Sequence, residues 1–109
     1  MISNSEFGLT STDIQRIKNT LASFPEVQEA ILYGSRALGT HKNHSDIDLT
    51  LTGPDLTLTK LLQVEIALEN LLLPYKFDLS IKSKIENSSL VDHINKVGII
   101  FYKSHNRED

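Results

Sequence analysis

The chain has 109 residues and a formal net charge of −3, with 39% hydrophobic and 23% charged residues and no cysteine. That length suits one domain able to bury a core, expected over residues 1–109 with loose tails at 1–9 and 103–109. The acidic balance argues against a general nucleic-acid binder, which carries a basic surface. The lack of thiols excludes disulfides, thiolate metal sites and a cysteine nucleophile.

The opening MISNSEFGLTST has neither a basic start nor an apolar stretch of the kind that directs secretion, and no apolar run reaches membrane-spanning length. The expectation is a cytoplasmic protein with no membrane association. From Thr10 a helix is predicted: Ser11, Thr12 and Asp13 are capping types, and Ile14, Ile17, Leu21 and Phe24 recur at helical spacing before Pro25. Residues 27–33 read as a first strand broken by Gly34, and 36–38 as a short helical turn ended by Gly39. A polar loop, THKNHS, follows over 40–45.

Residues 46–52 alternate most clearly. Ile47, Leu49 and Leu51 fall on one face, with Asp46, Asp48, Thr50 and Thr52 on the other. After the Gly53-Pro54-Asp55 turn, a helix over 57–72 carries Leu58, Leu61, Val64, Leu68, Leu71 and Leu72 as its apolar stripe. Residues 76–82 alternate again, which puts Asp78 on a polar strand face opposite Phe77, Leu79 and Ile81. Asn87, Ser88 or Ser89 caps a third long helix with Leu90, Val91, Ile94 and Val97, ended by Gly98. Residues 99–102 read as a last apolar strand or extended segment.

Helices alternating with strands predict an α/β (α+β) domain with a mixed sheet of three to four strands flanked by helices. The loop between the first two strands is too short for a crossover helix, so these strands are antiparallel. The helix over 57–72 then crosses to a parallel third strand.

The stretch from Gly34 to Asp48, GSRALGTHKNHSDID, carries the chemistry. On a strand, Asp46 and Asp48 leave from one face about 7 Å apart at Cα, and can converge on divalent cations. The Gly34-Ser35 bend leading into a helical turn offers backbone N–H groups to phosphate, and glycine permits close backbone approach. Arg36 and Lys42 are candidate cations for triphosphate, against a reading as solvated surface residues. Ser45 starts the strand and is a lesser candidate for a phosphate contact. His41 and His44 have a spacing seen in zinc pairs but lack a third histidine or a cysteine in support, so they read as loop residues.

Gly-Ser, ten residues, Asp-x-Asp and a later strand aspartate together resemble the DNA polymerase β-like nucleotidyltransferase superfamily. The form GSRALG…SDIDL is most similar to the minimal nucleotidyltransferase (MNT) proteins, antitoxin partners of HEPN-domain toxins. The resemblance implies the polymerase β-like fold, with catalytic and metal-ligating roles for Asp46, Asp48 and Asp78 and nucleotide contacts from Gly34, Ser35, Arg36 and Ser45. It implies Mg²⁺, as two ions with bound nucleotide, and transfer of AMP from ATP to a tyrosine of a HEPN toxin in a hetero-oligomer. Members of this group often carry a basic residue where this chain has Leu38. That departure supports an alternative reading as a binding module that neutralises a partner by contact. A third reading, an antibiotic-modifying transferase, needs acceptor-pocket residues that the chain has little length to supply.

Overall fold

In the computed structural model, residues 6–105 are described. Helix α1, Ser11–Ala22, starts where Thr10 accepts a hydrogen bond from the Asp13 amide at 3.0 Å, and buries Ile14, Ile17 and Leu21. Strand β1, Glu29–Tyr33, leads through Gly34 into the single turn of α2, Ser35–Leu38, which Gly39 ends in the left-handed region. Strand β2 is Ile47–Thr52. Helix α3, Leu58–Glu69, is capped by the Thr57 hydroxyl and crosses to strand β3, Phe77–Ile81. A 3-10 turn over Lys82–Lys84 precedes α4, Ser88–Val97, whose cap is the Asn87 side chain accepting from the Leu90 amide. Strand β4, Ile99–Lys103, closes the fold.

The four strands lie in the order β3-β2-β1-β4. Strand β1 is antiparallel to both β2 and β4, while β2 and β3 run parallel across the α3 connection. Ile47, Leu49 and Leu51 all point into the main core, where they meet Ile17 and Leu21 of α1 and Val64 and Leu68 of α3. A one-residue slip of β2 would turn all three outward, losing on the order of 5–9 kcal/mol at about 1.5–3 kcal/mol per side chain. That cost fixes which face Asp48 occupies. The opposite face is partly roofed by α4, with Ile94 packed on Ile31 and Tyr33 and with Ile85, Leu90 and Val97 around them.

Three expectations need correction. Leu58 and Leu72, assigned to the buried stripe of α3, are 64% and 87% exposed, because the helix turns Val64 and Leu68 to the sheet and ends at Glu69. Part of the segment expected to be loose at the start, residues 6–9, is held to the fold. Glu6 and Leu9 form a β-bridge, and Leu9 is fully buried among core residues. At the other end, Lys103 belongs to β4, and the Ser104 amide donates to the Gln28 carbonyl at 2.8 Å. The remainder of both expected tails lies outside the described residues. Among the described residues no helix is long and apolar enough to cross a membrane.

Candidate active site

The sheet register builds the site. Tyr33 on β1 pairs with Asp48 on β2, and Asp48 pairs with Asp78 on β3, so these three side chains form one row across the polar face. Adjacent strands are about 4.8 Å apart, close enough for each of the two carboxyl groups to feel the charge of the other. Asp46 lies one residue before β2 and is exposed. Burial and the charges of Asp78 and Asp46 push the Asp48 carboxyl up to about 6, against a smaller opposing effect of His93.

The next row along the sheet is made of hydroxyls. Ser80 donates to the Thr50 hydroxyl at 2.8 Å, and Thr50 is fully buried although it shares the face of the aspartates. The Tyr33 hydroxyl is within hydrogen-bonding reach of Ser80. Burial and the nearby Asp78 charge raise its pKa, Ser80 opposes them, and Asp48 adds a smaller upward push. Thr50 and Ser80 thus lie beside the carboxylates, on the strand face to which the alternating pattern assigns Thr50.

Gly34 adopts φ 77° and ψ −155°, a region other residues avoid. A β-carbon there would run into the Asp48 carboxylate, so this glycine makes room for a carboxylate of its own site. Its amide donates to His93 Nε2 at 3.2 Å, which differs from the expected free phosphate donor. Ser35 is half-buried at the first position of α2, and its hydroxyl makes no hydrogen bond among the described residues.

Arg36 is placed differently from the phosphate-facing cation expected of it. It is 2% exposed, and its guanidinium donates to the Ser45 carbonyl through Nε (3.2 Å) and Nη2 (2.9 Å) and to the Phe7 carbonyl through Nη1 (2.7 Å). Its flat face lies 4.8 Å from the centre of the Tyr75 ring. Burial lowers its pKa, while Tyr75, Asp46 and Asp48 favour the charged form. Arg36 therefore braces the N-terminal segment and the loop leading to Asp46. The Ser45 hydroxyl closes that loop by accepting from the Lys42 amide at 2.8 Å. The His41 ring packs over Gly8 beside Arg36, while Lys42 and His44 are exposed.

The polymerase β nucleotidyltransferase family model ("Polymerase beta, Nucleotidyltransferase") matches residues 15–107. The chain belongs to that family. No curated protein matches it. Among solved structures, this nucleotidyltransferase resembles a chain of a toxin–antitoxin complex with AMP-PNP, at TM-score 0.69 and 22% identity, covering 84% of this chain and 74% of that one. It also resembles a chain of the MntA–HepT toxin–antitoxin complex, at TM-score 0.64 and 18% identity, covering 87% and 74%. A third is a chain of a tri-AMPylated Shewanella oneidensis HEPN toxin in complex with MNT antitoxin, at TM-score 0.63 and 19% identity, covering 85% and 71%. At these identities the likeness establishes the fold.

The family implies magnesium, and the donor set can be tested against it. Asp48 and Asp78 supply hard oxygen donors side by side. The one ion pair among the described residues, Lys60 with Glu26, leaves both carboxylates without a cationic partner. Among the described residues no group of three or more His, Cys, Asp or Glu side chains is gathered for a metal. A pair of carboxylates with no salt-bridge partner suits Mg²⁺, which takes one or two protein carboxylates and completes its shell with water and substrate phosphates. The residues fit a cation that arrives with a nucleotide. A surface hollow of about 430 Å³, lined in part by Gln28, Thr52, Lys82 and Val91, lies at the far end of β2 and is separate from this site.

Proposed function

We propose that the chain is an MNT-type antitoxin that moves AMP from ATP onto a hydroxyl of a HEPN toxin, on a tyrosine, and thereby neutralises it. The observation that carries this reading is the Asp48–Asp78 pair, with Asp48 resting against the Gly34 bend. The likeness to chains of toxin–antitoxin complexes, one with AMP-PNP and one with an AMPylated toxin, supports the choice of partner and nucleotide.

Asp48 and Asp78 would hold magnesium, with Asp46 adding negative charge beside them. When bound, magnesium would neutralise phosphate charge and polarise the α-phosphate. The Ser35 hydroxyl, at the mouth of the Gly34 bend, donates to a phosphate oxygen of the triphosphate. The acceptor oxygen forms its bond to the α-phosphorus as the bond from that phosphorus to the bridging oxygen breaks, and pyrophosphate leaves. The proton of the acceptor hydroxyl passes to Asp78, the more exposed of the paired carboxylates. The carboxylates lie on an open sheet face, and the acceptor brings the rest of its own binding surface.

A contact-only binding module is the second reading. It is favoured by the 53% exposed Leu38, which offers no charge to a triphosphate, and by the commitment of Arg36 to backbone carbonyls. Incubation with labelled ATP, Mg²⁺ and the candidate toxin separates the two. Label on the toxin that disappears with D46A/D48A supports transfer. Tight binding of the toxin, with its inhibition retained and no label transferred, overturns it.

A further inference from the structure

The Gly34 bend is held by a residue far away in sequence. Helix α4 lies on the polar face of the sheet, with Leu90, Ile94 and Val97 packed around Ile31 and Tyr33. That packing carries half-buried His93 to the end of β1, where its ring meets Tyr33 edge-on at 6.1 Å between centres and 79° between planes. His93 Nε2 accepts the Gly34 N–H at 3.2 Å. Without that acceptor, the amide would be one of the unpaired donors at the start of α2.

The second contact links this bend to the chemistry. The bare Cα of Gly34 provides the surface on which the Asp48 carboxylate rests, with no space even for a methyl group. Movement of the bend therefore moves the carboxylate's support, or opens a gap into which the carboxylate can swing. The hydrogen bond fixes the amide plane and the packing of α4 fixes the histidine. Both act on a glycine whose own backbone preferences are weak.

We propose that His93 is a positioning residue of the carboxylate site, acting through the Gly34 amide to hold Asp48 in its metal-facing place. As a statement about catalysis, this rests on the nucleotide-transfer reading above. The bland alternative is a histidine that merely fills space beneath α4. Two substitutions separate the roles: His93→Leu keeps the volume and removes the acceptor, whereas His93→Gln can return an oxygen to the position of Nε2.

In protein without nucleotide, H93L is expected to speed hydrogen exchange at the Gly34 amide by about tenfold or more while Leu32 in β1 stays protected. The carboxyl ¹³C resonance of Asp48 is expected to shift in H93L and to return in H93Q. In the transfer assay, H93L is expected to lower kcat by about ten- to a hundredfold with a smaller change in KM for ATP, and H93Q to recover most of it. Unchanged Gly34 exchange and an unchanged Asp48 resonance in H93L overturn the assignment. So does a loss in H93Q as complete as in H93L, which would mark a packing role. Wild-type protein that transfers no label would overturn the transfer reading alone, because the exchange and resonance measurements decide the role of His93 without turnover.

Discussion

Replacement of Arg36 by alanine tests whether this motif residue is a brace or a phosphate ligand. The side chain is almost wholly buried and gives three charged hydrogen bonds to two carbonyls, with a ring stacked on its face. Hydrogen bonds involving a charged group contribute about 1.5–3 kcal/mol each, and a desolvated cation–π contact about 2 kcal/mol. The two bonds to Ser45 share one acceptor, and removing the arginine also relieves the cost of burying its charge. A net loss of about 3–4 kcal/mol remains, large against a total stability of about 5–15 kcal/mol. With a urea m-value of about 1.5–2 kcal/mol/M, R36A should lower the unfolding midpoint by about 2 M. R36K keeps the charge but cannot reproduce the planar fork, and should recover less than half of the loss. An R36A unfolding curve within about 0.5 kcal/mol of wild type, the range of an ordinary surface change, would refute the brace. Recovery of nucleotide affinity by R36K in that case would return Arg36 to the phosphate.

The raised Asp48 pKa makes a pH-dependent prediction for protein without magnesium. Between the ordinary 3.8 and about 6, the folded chain holds a proton that the unfolded chain has lost, so stability falls as pH rises through this window. D48N should therefore be more stable than wild type at pH 8 by about 1–2 kcal/mol after solvent screening, and equal to it near pH 4; parallel curves across that range would contradict the crowding of charge. Gly34→Ala places a methyl group against the Asp48 carboxylate in a backbone region reserved for glycine, and should cost about 1–3 kcal/mol and abolish transfer. A G34A protein with wild-type melting and turnover would remove the bend from the site. Leu38→Lys, at an exposed position at the end of α2, should leave stability within about 0.5 kcal/mol. It should tighten Mg·ATP binding by about two- to fivefold in low salt, for about 0.5–1 kcal/mol of charge attraction. Calorimetry showing an unchanged Kd would mean that the triphosphate does not pass Leu38.

Much of this arrangement could be read from local pattern. The alternation around Asp48 and Asp78 names their strand faces, because consecutive side chains of a strand point oppositely and one face must be apolar. Asn87, one of three candidate caps for the last helix, is the one whose side chain satisfies an amide three residues onward, whereas the cap of α1 is Thr10 and not Ser11, Thr12 or Asp13. The strand directions follow from connection length: a loop between β1 and β2, a helix between β2 and β3.

What remained for the tertiary structure to decide are contacts between residues remote in sequence. The parallel register that sets Asp78 directly beside Asp48, with Asp46 one residue before the strand, is one such contact. Others are the burial of Arg36 against Phe7 and Tyr75, the hydrogen bond from Gly34 to His93 across 59 positions, and the outward turn of Leu58. Periodicity assigns a residue to a face of its own element. Which element covers that face, and at what register, is set by the summed packing of the whole core, to which no short window of sequence has access.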